Sequence, residues 1–222
     1  VMNAICDGLI SRQITPELLS IYNSCVSSHA MDEVMADYIA RYDKLDDINP
    51  LMAHVDHPFV ALDNILFKRL SEAIENSEFL GEYIHFIDAR TKSKNADSYK
   101  AGWLRDVQTL VEFKNGELYK IASLSDFAIY YRDIFAKLDT AVRHLYAAWL
   151  HEEKVLRPFQ FLYEQAEKEL LDKWFSLTAD YQPTQQGLLK EKMEENGRIA
   201  FLVCDGLRLE IAETIFQQSK SK

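Results

Sequence analysis

The chain has 222 residues, of which 48% are hydrophobic, 12% aromatic and 27% charged, so it can bury one large core or two small ones and is not a disordered tail. Lys and Arg number 25 against 35 Asp and Glu, a formal charge of −10. That charge repels phosphate backbones and excludes a broad nucleic-acid-binding face.

Seven Gly and five Pro leave few turns, so long helices are expected. Cys6, Cys25 and Cys204 have no CxxC spacing and support neither a zinc knuckle nor a disulfide framework, which fits a reducing cytoplasm. The apolar run Ile199 to Cys204 is six residues long, where a membrane span needs about 20. The N-terminus has no basic segment followed by an apolar one, so no export signal is read. The chain begins at Val1 rather than Met and stops soon after this apolar run, and it is expected to be a fragment of something larger.

From Met2 to about Lys44 the pattern is helical with short breaks. Thr15-Pro16-Glu17 predicts an N-cap followed by Pro at the first helical position, and Leu18, Leu19, Tyr22 and Val26 form one face. A helix is predicted from about Ala30 to Tyr42, carried by Met31, Val34, Met35, Tyr38 and Ile39. Residues 44–58 read as a Pro- and Asp-bearing connecting loop and a candidate sub-boundary. Residues 31–63 hold eight acids against two bases, the most acidic stretch of the chain.

Phe59, Leu62, Ile65, Leu66, Leu70 and Ile74 predict a helix ending at Asn76, and Phe79, Tyr83, Phe86 and Ile87 a shorter one after it. Thr91 to Asp97 reads as a loop. Trp103, Val107, Leu110 and Val111 then repeat at helical spacing before a turn at Lys114-Asn115-Gly116. A long helix capped by Ser123 or Ser125 carries Phe127, Tyr131, Ile134, Leu138, Val142, Leu145 and Trp149. A second, from about Glu152 to Leu177, carries Leu156, Phe159, Tyr163, Ala166, Leu170, Trp174 and Leu177. Pro158 must lie in its first turn or kink it. The two are expected to pair antiparallel in a bundle.

After a break at Asp180 to Pro183, Thr184 to Glu195 reads as a polar helix stopped by Asn196-Gly197. Ile199 to Cys204 then reads as a strand buried on both faces, Asp205-Gly206 as a turn, and Ile211, Ala212, Ile215 and Phe216 as a helix. The expected fold is mainly α: a helical region over residues 1–196, then over 197–222 the first βα unit of an α/β domain.

Strand ends collect ligands in open α/β sheets. Asp205 is therefore a candidate divalent-metal ligand beside a tight Gly206 turn, the competing reading being a cap of the helix that follows. Other candidates are weaker. His54, Asp56 and His57 form an H-x-D-H cluster without a second ligand group. His144 and His151 lie two turns apart. The pairs Arg105 and Asp106, Arg132 and Asp133, and Asp139 and Arg143 read as helix-surface pairs. No Gly-rich phosphate loop, nucleophile-elbow Ser or Cys/His catalytic pairing occurs.

The run RIAFLVCDGLRLEIAETI, Arg198 to Ile215, resembles the opening strand and metal-binding motif of the PglZ family of bacteriophage-exclusion (BREX) and phage-growth-limitation systems. The core of that family is similar to the alkaline phosphatase superfamily. Tyr130 to Phe135, Arg143 to Tyr146, Leu150 and the Tyr163-Glu164 segment resemble the helical region leading into that core. The sequence departs from the usual motif at Leu209, where an aromatic is common, and at Cys204, where a small polar residue is frequent. The resemblance implies Asp205 as the first-strand metal ligand, with Arg208 and Glu210 at motif positions of unassigned role. It implies Zn²⁺, Mn²⁺ or Mg²⁺ in the intact core.

In that superfamily the Ser or Thr nucleophile and the remaining Asp and His ligands follow the first strand, and the 17 residues after Asp205 contain no His and no Asp. This chain alone is therefore expected to be catalytically inert. Its helical region is expected to dock another BREX component, the small BrxB protein being one candidate. The competing reading is a self-contained helical interaction protein with Asp205 as a cap.

Overall fold

The computed structural model describes residues 1–26, 28–93, 102–177, 185–195 and 207–220. Among them the backbone is helical and connecting, with no strand, which agrees with a mainly α fold. The expected strand at 199–204, Asp205 and the breaks at 180–183 and 196–197 lie outside the described residues, as does most of the loop expected at 91–97.

The helices are α1 (Met2–Ser11), α2 (Pro16–Val26), α3 (Asp32–Ala40), α4 (Val60–Glu75), α5 (Gly81–Thr91), α6 (Trp103–Glu112), α7 (Leu124–Tyr130), α8 (Ala136–Ala148), α9 (Glu153–Leu177), α10 (Gln185–Glu195) and α11 (Leu209–Lys220). A five-residue π-turn, Tyr131–Phe135, joins α7 to α8. Three-residue 3₁₀ turns occur at Leu45–Asp47, Pro50–Met52 and Leu118–Lys120.

Several boundaries follow from local chemistry. The Thr15 hydroxyl accepts the Leu18 amide at 3.4 Å, with Pro16 opening α2. Ser123, not Ser125, caps α7, accepting the Asp126 amide at 3.1 Å. Helix α4 stops where Ser77 turns left-handed (φ 56°). There the Glu78 amide reaches back to Ala73 and the Ser77 amide to Ile74, the paired bonds of a Schellman stop. Arg12 does the same after α1, with the Gln13 amide on the Gly8 carbonyl. Pro158 sits inside α9, in its second turn, where it leaves the Lys154 carbonyl without its helical donor.

The described residues form two compact units. The first comprises Val1–Phe113 with Ala141–Glu164, the second Lys114–Thr140 with Gln165–Lys222. In the first unit Ile5, Leu9, Tyr22, Met35, Ala53, Phe59 and Leu62 share one core. The 44–58 segment enters it: Pro50 and Ala53 are buried and the His54 amide binds the Leu9 carbonyl at 2.7 Å. Phe67 lies at the centre of an aromatic cluster, its ring centroid 5.0 Å from Trp103, 4.5 Å from Trp149 and 4.7 Å from Phe159. Ser71 ties α4 to α9 through the Val155 carbonyl at 2.8 Å. Tyr146 bonds to Gln160 across the turn between α8 and α9, as in a helical hairpin.

In the second unit Asn115 is a hub. Its amide nitrogen donates to the Ala166 carbonyl and to Glu169, and its oxygen accepts the Tyr130 hydroxyl. Phe127 packs on Trp174 at 5.2 Å between centroids.

The long helix expected from Ser123 to Trp149 is corrected in its register. The buried residues are Phe127, Tyr130, Phe135, Leu138, Ala141 and Leu145, not the run through Tyr131 and Ile134. A π-turn spends one extra residue per turn, so Ile134 is 39% exposed while Phe135 faces inward.

Candidate functional site

Three places concentrate chemistry. The first is buried and was not legible as a unit. Asp63 on α4 and Arg90 on α5 are fully enclosed, Arg90 at 0% exposure. Arg90 donates from Nε and Nη2 to the two carboxylate oxygens at 3.0 and 2.8 Å, and from Nη1 to the Val55 carbonyl at 2.7 Å. Such two-pronged pairing is the strong form of an ion pair. Burial pushes the Asp63 carboxyl above its ordinary value, and the Arg90 hydrogen bonds and charge pull it back.

His57 completes the group. Its Nδ1 accepts the Phe59 amide at 3.2 Å, which leaves the neutral ring's proton on Nε2, 3.8 Å from Asp63 Oδ1. Burial, then the Arg90 charge, holds this imidazole well below its usual value. His54 repeats the motif, its Nδ1 accepting the Asp56 amide at 3.2 Å. In a neutral ring that accepts at Nδ1, neither nitrogen offers a free lone pair, so the H-x-D-H cluster is a turn builder. Among the described residues no group of three or more His, Cys, Asp or Glu can hold a metal.

The second place is the end of the chain. Arg208 and Leu207 are exposed, and the Arg208 carbonyl accepts the Ile211 and Ala212 amides that open α11. Glu210 lies in its first turn. Leu207, Ile211, Ile215 and Phe216 form an apolar stripe 41 to 54% exposed.

The third is a groove of about 530 Å³ in the second unit, walled by Phe127, Ala128, Tyr131, Arg132, Trp174 and Leu209. It runs beside the π-turn, whose Arg132 is paired with its neighbour Asp133 at 2.6 Å on the surface.

The remaining candidates are surface or core features. Asp106 meets His144 at 3.3 Å, and burial raises its carboxyl while His144 opposes the rise. His151 is exposed. Burial, together with the charge of Asp7, raises the Cys6 thiol to about 11, so it is inert as a nucleophile; Cys25 is a half-buried free thiol. No described helix is long and apolar enough to cross a membrane. Comparison with protein-family models, with curated proteins and with solved structures returned no match.

Proposed function

We propose that this chain is the helical front of a PglZ-like phage-defence protein, a docking module that leads into the first βα step of a metal-dependent phosphatase-like core. The observation that supports it best is helix α11. It begins at Leu209, immediately after the D-G-L-R run, and exposes an apolar stripe at Ile211, Ile215 and Phe216 that Leu207 extends just before it. A helix that follows a buried strand in an α/β layer carries such a stripe to cover the sheet.

On this reading Asp205 supplies one carboxylate to a divalent metal, Zn²⁺, Mn²⁺ or Mg²⁺, which would polarise a phosphoryl oxygen when bound. The residues from 207 to 220 add Glu210 and Glu213 but no His or Asp, so hydrolysis is not assigned to this chain by itself. The helical region supplies docking, and the partner expected from the family resemblance is another BREX component, BrxB among them.

The test is hydrolysis of a simple phosphomonoester and phosphodiester by the full reading frame with Zn²⁺, Mn²⁺ or Mg²⁺, comparing Asp205→Ala. Metal-dependent turnover lost in the variant supports the reading. No turnover with any metal and an unchanged fold favours a self-contained helical interaction protein. Docking is tested separately by retention of each system component on the immobilised chain, and retention of none overturns it.

A further inference from the structure

We propose that the π-turn Tyr131–Phe135 is the seat that positions helix α11 on the second unit, with Leu209 as the anchor that completes the wall of an apolar groove shared with Phe127, Ala128, Tyr131 and Trp174. Four elements converge there: α7, the π-turn, α9 and the first residue of α11 all wall one apolar groove. The π-turn is what opens it. Its extra residue turns Phe135 into the core and leaves Ile134 outside. It also sets half-buried Tyr131 and exposed Arg132 on the groove wall. Single π-turns persist in helices at the expense of hydrogen-bond geometry, and they concentrate where a surface is put to use.

A charge of opposite sign accompanies the apolar wall. Glu213 lies four residues after Leu209, one turn along the same face of α11. The Arg132 guanidinium is held above its ordinary value first by its hydrogen bonds to Asp133, with the negative charge of Glu213 adding to them. Leu209 thus shares the groove wall with Tyr131 and Arg132, and Glu213 carries its charge on the next turn of the same helix. Arg208 and Glu210 flank the anchor, so the seat fixes the direction in which both motif positions leave the bundle. Its consequence for a metal core rests on the function proposed above; the seat itself does not.

The test uses the whole chain labelled with 5-fluorotryptophan, the three ¹⁹F resonances being assigned by single Trp→Phe variants. Leu209→Asp is expected to shift the Trp174 resonance, leave those of Trp103 and Trp149 in place, and accelerate amide exchange along α11. Leu209→Met is expected to restore both. Arg132→Glu and Glu213→Arg are each expected to loosen α11, and the two together to recover protection. An unmoved Trp174 resonance with unchanged exchange in Leu209→Asp overturns the seat. So does a Trp174 shift that depends on protein concentration, which would put a second copy in the groove. Metal-dependent turnover and its loss in Asp205→Ala are read independently, so the seat can fail while the phosphatase-like reading stands, and the reverse.

Discussion

Replacing Arg90 with Met keeps most of the side chain's length and removes its charge from the centre of the first unit. Two charge-assisted bonds to Asp63 and one to the Val55 carbonyl are lost. A carboxylate at 1% side-chain exposure is left with only His57 Nε2 nearby, at 3.8 Å. Breaking a buried pair by deleting one partner costs about 3–5 kcal/mol, chiefly through the stranded charge. At a urea slope of roughly 2 kcal/mol/M, the midpoint falls by about 2 M.

Asp63→Leu added to Arg90→Met removes that stranded charge. It recovers much of the loss and leaves about 1–3 kcal/mol for the unsatisfied Val55 carbonyl. The single variant also carries a pH signature. With Arg90 gone only burial acts on Asp63, its folded carboxyl binds the proton more tightly than the unfolded one, and the penalty shrinks as pH falls toward 4. Urea unfolding followed by Trp103 and Trp149 emission, in a Trp174→Phe background, reads this unit alone. A loss below about 1 kcal/mol for Arg90→Met, or a double variant no better than the single, would refute the reasoning.

His57 and His54 both have imidazoles lowered by burial, so below about pH 6.5 the unfolded chain takes up protons that the folded one refuses. The stability these rings contribute is full above that pH and falls as pH drops beneath it, by up to about 1.4 kcal/mol per unit for the fully buried His57 and by less for the partly exposed His54, whose charge water and Asp56 help to carry. His57→Gln, which keeps an acceptor for the Phe59 amide, is expected to flatten the slope measured by urea midpoints between pH 7.5 and 5. Gly8 and Gly81 of the first unit divide by what a methyl group meets. Gly8→Ala drives Cβ to 2.8 Å from the Ile14 backbone and is expected to cost about 1–3 kcal/mol by overpacking. Gly81→Ala meets first the ring of Phe79, which is 86% exposed and free to swing aside, so its melting temperature is expected to hold or rise.

What the sequence discloses divides along the range of the interactions. Caps and periodic faces are local, so Thr15, Ser123, the α9 stripe through Leu156, Phe159 and Leu170, and the mainly helical class are readable from spacing. The Asp63 to Arg90 pair joins residues 27 apart on different helices. Asp63 in isolation is one more acid in an acidic stretch, and only the fold shows that it is buried and answered. His54 and His57 mislead for a related reason. The ligand spacing is present, but the turn spends both Nδ1 atoms on backbone amides, a choice made by φ and ψ rather than by composition.

The π-turn is the instructive failure. The spacing Phe127, Tyr131, Ile134, Leu138 fits an ideal helix with no error visible in it. Yet the core runs Phe127, Tyr130, Phe135, Leu138, whose five-residue step between Tyr130 and Phe135 no helical template contains. A period that fits too well can therefore conceal an inserted residue, and the side chains it misplaces, Tyr131 and Ile134, are the ones the fold turns toward the surface. The same step that defeats the periodic reading puts Tyr131 and Arg132 on the groove wall that Leu209 completes, so the place where the pattern breaks is the place where the second unit has a surface to offer.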